Sequence, residues 1–539
     1  MLLEKQIYEL LKKIDNNHEN VEKIFISIGA PNVKAQVILI KNTIKLKYQL
    51  FKLLKKYNKR FGYYPSWVKV DVVTNEQHVL FDDVTKELIN TRRNYVTFGF
   101  ALDERWSLSF LPEEINANAF VRPSKSDKNN REIAENNITH FLKHYKNLNI
   151  NFSLNDYFGK KVTTFLTQGY FIAHNELYDL YGTGYMKGIR RVNNLTNELD
   201  KLIETSTNYL KNEIQENGKF VYGYFPHFDR KINYYNVLRH SSSAYALTEG
   251  LNYLNEDTTI IEKTLTYIIN YHYYEDGNNA YIFDDTNNIN EIKLGQNASF
   301  IFAVCEYLNT TKNADNYLVY AQKVANGILT MIDFNNMKTK HVLNYPDLSV
   351  KEDFRVIYYD GEAALALLRL YEIDGNKKWL ETVENLFEQF IFNKYWEYND
   401  HWLGYCTNEL VKYLPKEKYY RFGMLNVSNK LNYIYHRETT FPTFLEMLMS
   451  TYHLVQSAKN NGYSKVVEEM IDEEKLLSTI HKRADYERTG YFYPEVAMYF
   501  KNPQRILGSF FIKHHGYRVR IDDIEHYLSG YVQYQLVFK

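Results

Sequence analysis

The chain of 539 residues carries 65 basic and 65 acidic side chains, a formal net charge of zero. That balance argues against nucleic acid or an anionic membrane surface as the main partner, since each needs a basic face. The length suffices for two or more domains. The two cysteines, Cys305 and Cys406, support neither a disulfide framework nor a Cys-rich zinc site.

Residues 1–17 lack the continuous apolar core of a secretory signal and read as an amphipathic helix. No stretch of about 18 apolar residues offers a membrane span, so a cytoplasmic protein is the expectation. Residues 23–29 and 35–42 are rich in β-branched side chains and read as strands. Residues 48–61 read as a helix and 66–74 as a strand, and 94–103 with 105–112 read as a hairpin. Residues 1–125 are therefore expected to form a small α/β or α+β domain. The polar stretch 122–137, with Pro123 and Ser124, is the best linker candidate. The 49 tyrosines, with abundant Asn, Lys and Ile, fit an AT-rich bacterial composition and carry little weight for function.

From 126 to 539 the chain reads as mainly helical. Long apolar helices are expected to begin near Thr163, His240, Gln296, Gly361, Arg437 and Ile521. Between them lie segments with one wet and one apolar face at helical spacing: 193–214, 258–274, 314–333, 377–392 and 464–480. Residues 131–148 would supply the last outer helix. The pattern predicts six inner and six outer helices, an (α/α)6 toroid. Long connections with strand-like pieces, at 218–233, 279–295 and 511–520, precede three of the apolar helices, whereas the opposite connections are short. Sites are usually built on such loops.

Five of the inner-helix starts carry a polar cluster: Arg239-His240, Gln296-Asn297, Asp360-Gly361-Glu362, His436-Arg437-Glu438 and Arg520 with Asp522-Asp523. If the helices run side by side, these clusters share one rim. Asp360 and Glu362 at a helix start are also what helix capping would favour. An acid pair is what glycosidic cleavage needs, one group protonating the leaving oxygen while the other attacks or positions water. Asp523 and His526 lie three apart on one helix face, with Arg520 just before them. A salt-bridge network is the competing reading. A metal site drawing on His514, His515, His526 and the aspartates matches no known ligand spacing. No phosphate loop, dinucleotide fingerprint or nucleophile elbow occurs, so no cofactor is expected.

The run from Tyr358-Tyr359-Asp360-Gly361-Glu362 through Leu370-Tyr371, Asp374-Gly375-Asn376 and Trp379-Leu380 resembles the repeat of six-hairpin (α/α)6 proteins. The segment from Gly218-Lys219-Phe220 to Arg239-His240 is similar to their first long hairpin. That superfamily contains glycoside hydrolases, sugar 2-epimerases, uronate epimerases and lyases. The resemblance implies a sugar or glycan substrate, and it is specific for architecture more than for chemistry. The candidate catalytic groups are Asp360, Glu362, Asp522, Asp523, His436 and Glu438; on the hydrolase branch the carboxylates do the work, which suits Glu362, Asp360 and Asp522 or Asp523. Substrate would be held by Arg239, His240, Gln296, Asn297, Tyr359, Arg437, Arg520 and His526. On the epimerase branch a histidine pair removes and returns a proton beside a carbonyl, a role suited to His240 and His436. Hydrolysis ranks ahead of epimerisation, and a lyase or a non-catalytic module of surface-polymer assembly stays open, as does an oligomer or biosynthetic complex.

Overall fold

The computed structural model describes residues 2–127, 130–311 and 315–539. The chain forms two compact units, each interrupted in sequence. One runs up to Asn193 and adds Tyr224–Arg230 and Arg488–Val519; the other comprises Asn194–Gly223, Lys231–Glu487 and Arg520–Lys539.

The first unit is built on an antiparallel sheet. Its strand order is Val33–Ile40, Ile24–Ala30, Trp67–Leu80, Lys161–Ala173, Gly99–Ala101 and Ser109–Phe110, and Glu176–Asp179 also pairs with Lys161–Ala173. Side chains alternate across it. Ile24, Ile26 and Ile28 pack with Leu46, Leu50 and Leu54 of the Leu46–Phe61 helix. Phe25 points the other way and stacks on Phe165 at 5.4 Å between ring centroids.

Three expectations change here. Lys161–Ala173 is a strand paired along the length of Trp67–Leu80, not the first inner helix near Thr163. Its run of Thr, Phe, Val and Tyr fits a pleated surface better than a helix. Residues 121–123 and 131–133 pair as a small hairpin, so the expected linker lies inside this unit; residues 128 and 129 fall outside the described residues. The Glu135–Tyr145 helix buries Ile138, Phe141 and Leu142 in the same unit's second core rather than closing the ring. The compact units are thus not divided at residue 125.

The second unit is a closed ring. Among the described residues six inner helices follow one another: Val237–Tyr253, Leu294–Thr310, Tyr358–Asp374, His401–Tyr413, Thr443–Asn460 and Ile521–Phe538. Each packs on the next, and the sixth packs on the first. Outer helices lie against them: Leu195–Asn212, Ile260–His272, Asp315–Thr330, Lys377–Phe392, Glu417–Ser428, and Ser464–Met470 with Glu473–Glu487. The first three inner helices are buried on nearly every face, as helices that are apolar all round must be. This is the six-hairpin toroid that the sequence implies, with one substitution: the fourth inner helix, His401–Tyr413, takes the place of the segment near Thr163.

Sequential, short-looped hairpins make the inner helices parallel, so their N-terminal ends share one rim. A five-stranded antiparallel sheet, Tyr273–Asp276, Asn279–Asp284, Glu291–Lys293, Val342–Asn344 and Val350–Glu352, lies in the loops leading to the second and third inner helices. Glu291–Lys293 runs directly into the Leu294–Thr310 helix. The long-loop side is therefore the N-terminal side of the inner helices.

Candidate active site

The rim is set by local capping. The Asn236 side chain accepts from Arg239 N at 3.1 Å and starts the first inner helix. Asp400 accepts from Trp402 N and Leu403 N at 3.0 and 3.3 Å and starts the fourth. These caps fix the first turns of two of the helices, and five helices together bring Arg239, Glu362, His401, Glu446, Glu525 and His526 into one cluster, largely buried except for the Arg239 side chain, which is 37% exposed.

Two imidazoles lie at its centre. The rings of His401 and His526 are 5.3 Å apart between centroids and nearly perpendicular, with Trp402 beside His401 at 4.9 Å. Their protonation is set in opposite directions. Burial pushes His401 well below the ordinary imidazole value, and the positive charges of His526 and Arg239 add to this. His401 is thus neutral, and its Nε2 has no hydrogen-bond partner among the described residues. Burial also acts to lower His526, but the carboxylates of Glu446 and Glu525 outweigh it and lift it to about 9. His526 Nδ1 is 2.9 Å from Glu446 Oε2, so His526 is an imidazolium at neutral pH.

Carboxylates surround the pair. Burial raises Glu362 to about 8, with Asp400 and Glu525 adding to the rise against Arg239 and His526. Glu362 Oε2 has no hydrogen-bond partner among the described residues. It occupies the space above Gly295, where an added Cβ would stand 1.9 Å from that oxygen and 2.5 Å from Tyr359 Cδ1. Glu525 accepts a hydrogen bond from Ser242 Oγ, and burial carries it to about 7. Arg239 is drawn up by Asp522, Glu525 and Glu362, and its Nε lies 3.4 Å from Asp522 Oδ2. The set joins a neutral base, a cationic acid, a guanidinium and a protonated carboxyl in one cluster, the kind of opposed environments that separate acid from base. His401, Glu446 and His526 also place ligand atoms within 4.8 Å of one another, a donor set able to hold a divalent cation.

Arg239, Glu362, Asp522, Tyr359 and His526 are thus brought together, as the shared rim implied. Other expected residues are employed elsewhere. His240 is fully buried between the first inner helix and Ile260–His272; its Nε2 is 3.2 Å from Thr264 O, its Nδ1 3.0 Å from Tyr235 Oη, and burial takes it down to about 3. It is a packing residue. Gln296 and Asn297 bind the backbone of Ile282, fastening the Asn279–Asp284 strand instead of a substrate. Asp360 accepts from Thr339 Oγ1 and lies 3.3 Å from His341 Nε2, facing the loop. Asp523 is clamped by Arg520 through two hydrogen bonds of 3.0 and 2.7 Å. His436 and Glu438 are exposed, His436 at the end of the short Leu431–His436 helix and Glu438 in the loop beyond it. Arg437 between them bonds Thr439 Oγ1 at 2.6 Å. The fifth inner helix starts later, at Thr443. His514 and His515 belong to the other compact unit.

The sequence reading missed Asp400, His401, Glu446 and Glu525. The Asp-His-Trp start of the fourth inner helix is itself a polar cluster of the kind that marked the other rims.

The chain matches no known protein-family model and no curated protein. Among solved structures it is similar to a cellobiose 2-epimerase from Bacillus thermoamylovorans, at 12% identity and a TM-score of 0.49, over 64% of this chain and 100% of that one. A D-mannose isomerase matches at 11% and 0.47, over 63% of this chain and 98% of that one. A family 76 α-mannanase from Bacteroides thetaiotaomicron matches at 11% and 0.43, over 63% and 96%. At such identities the likeness is one of fold alone.

Proposed function

We propose that the toroid is a sugar epimerase or isomerase that moves a proton on the carbon beside a carbonyl, with His401 as base and His526 as acid. The observation that carries this reading is the pair of imidazoles 5.3 Å apart, one neutral and one cationic. Proton transfer at carbon requires this pair of states at the same pH.

In this mechanism the two rings, in edge-to-face contact at 5.3 Å, part to admit an open-chain aldose between them. The unpartnered nitrogen of His401 takes the proton from the carbon next to the carbonyl, and the electron pair moves onto the carbonyl oxygen. Arg239, held in place by Asp522, faces the developing oxyanion. His526 then delivers its proton to the opposite face of the same carbon, and the configuration inverts. Exchange with water returns both rings to their starting states. Glu362, protonated at neutral pH, donates to the sugar ring oxygen or a hydroxyl, and the Trp402 face supports the sugar's apolar side.

Hydrolysis is the second reading, because a buried carboxyl raised to about 8 is what a general acid for glycosidic cleavage requires. It ranks behind because Asp360 and Asp523, its expected partners, are engaged by Thr339 and Arg520. The test is incubation with a panel of sugars and oligosaccharides in D2O, followed by NMR and mass spectrometry. Deuterium on a sugar carbon without chain cleavage supports the proposal. New reducing ends with gain of water would replace it with the hydrolase.

A further inference from the structure

The sheet of the first unit ends on an open edge. Val33–Ile40 is its outermost strand and pairs on one side only, with Ile24–Ala30. Peptide groups along a strand point alternately to its two sides. The Ala35 N–H points outward, since it donates to Met498 O of the same unit at 2.7 Å. Alternation then turns the N–H and C=O groups of Val37 and Leu39 outward too, while those of Gln36, Ile38 and Ile40 face Ile28, Ile26 and Ile24. Among the described residues no hydrogen bond reaches the outward groups of Val37 and Leu39.

The usual guards of an exposed edge are missing from this stretch. Proteins blunt such edges with charge, proline or a bulge. Residues 36–40 read Gln-Val-Ile-Leu-Ile, and the nearest charges, Lys34 and Lys41, stand outside them. The register shift in this strand pair falls between Ile28 and Ala30, beyond the free groups. Val37, Ile38 and Leu39 are half-buried, and successive side chains point to opposite faces of the sheet. Apolar surface therefore flanks the free groups on both faces. On one of them Val37 and Leu39 line a hollow with Trp106, Leu108 and Leu148.

We infer that this edge is a dimer interface, paired antiparallel with the same strand of a second copy about a two-fold axis at Ile38. The free groups select that register. With Ile38 opposite the partner's Ile38, Val37 meets the partner's Leu39, and Leu39 meets the partner's Val37. Both are hydrogen-bonded pairs that exchange N–H···O bonds in each direction, so no outward group of Val37 or Leu39 is left over. A register centred on Val37 would spend its flanking pairs on Ala35, whose N–H is already taken by Met498 O. One centred on Leu39 would need Lys41, past the end of the strand. The Ile38 register also keeps like charges apart, with Lys41 opposite the partner's Ala35 and Lys34 opposite the partner's Asn42. A surface that complements itself in hydrogen bonds and in charge is what a two-fold dimer requires, and this commits the edge to a second copy. Pairing also covers Val37, Ile38 and Leu39 of both chains.

Sedimentation of the full chain over a concentration series, with amide hydrogen exchange at its two ends, tests the interface. The expected result is a monomer–dimer equilibrium in which the Val37 and Leu39 amides are protected only at high concentration. The Ala35 amide, already bonded within the chain, should be protected throughout. Ile38→Lys and Ile38→Glu each set like charges against one another at the axis and should weaken the dimer at least about ten-fold. Ile38 stands outside the core cluster that Ile26 and Ile40 join. Mixing the two variants opposes Lys to Glu and should restore a dimer within about three-fold of the parent's affinity, a rescue that misfolded chains could not give. A chain that stays monomeric up to about 1 mM, a dimer in which Val37 and Leu39 exchange freely, a dimer indifferent to both single substitutions, or a mixture that stays monomeric would overturn the assignment.

Discussion

Replacing Glu446 with glutamine removes the carboxylate that keeps His526 charged and leaves the shape of the site almost unchanged. Raising an imidazole from 6.5 to about 9 is worth about 3 kcal/mol of preference for the charged form. In the native protein that preference stabilises the fold fully below about pH 6.5 and is lost as the pH rises through about 9. In E446Q only the Glu525 carboxylate still opposes burial at His526, and the prediction is that burial wins and His526 falls below its unfolded value. Its contribution then changes sign: the variant loses stability as the pH falls through about 6.5. Glu446 is itself raised by burial, so its ionisation costs the native protein stability that is regained only as it takes up a proton toward the acid end, and the comparison is read between about pH 6 and about pH 9. The gap in thermal stability should be widest near pH 6 and nearly closed near pH 9. Imidazole ¹H–¹⁵N NMR should show His526 neutral at pH 7 in the variant, and turnover should fall by about 100-fold or more, because the site has lost its acid. A His526 that stays cationic above about pH 8 in E446Q, or a stability gap that does not vary with pH, would refute this reasoning.

Gly295→Ala places a Cβ 1.9 Å from Glu362 Oε2; Glu362 has to leave its place, and turnover should drop by about 100-fold with a stability cost of about 1–3 kcal/mol, read by kinetics and thermal melts. His436→Ala and Glu438→Gln, at exposed positions, should leave both rate and melting temperature unchanged; a large rate loss in either would return the fifth rim cluster to the active site. Glu495→Gln leaves the Arg190 guanidinium, 8% exposed, without its charge partner, and chemical denaturation should show a loss of about 3–5 kcal/mol.

The ring and its working face were legible because apolar helices flanked by long loops leave a pattern visible at the scale of a hairpin. The site was only half legible because side-chain direction on a helix changes by about 100° per residue. Arg239 faces Asp522 and the cluster of carboxylates, while its neighbour His240 faces the outer helix. Glu362 faces Gly295, whereas Asp360, two positions earlier, faces the Thr339 loop. Glu446 lies inside an apolar run and reads as core until the fold sets His526 against it. His401 was overlooked because the fourth hairpin is short, so that two repeats between Gly361 and Arg437 read as one. The strand Lys161–Ala173 took the opposite course: its Thr and aromatic residues suit a sheet, but the apolar density suggested a helix.

The central claim is that two imidazoles handle one proton from opposite faces, and single-residue variants followed in D2O test it most directly. The account predicts that His401→Asn and His526→Asn each abolish inversion, and that one of them still exchanges the proton beside the carbonyl of a given epimer for deuterium. Inversion that survives in either variant, or chain cleavage with no deuterium on carbon, would contradict it.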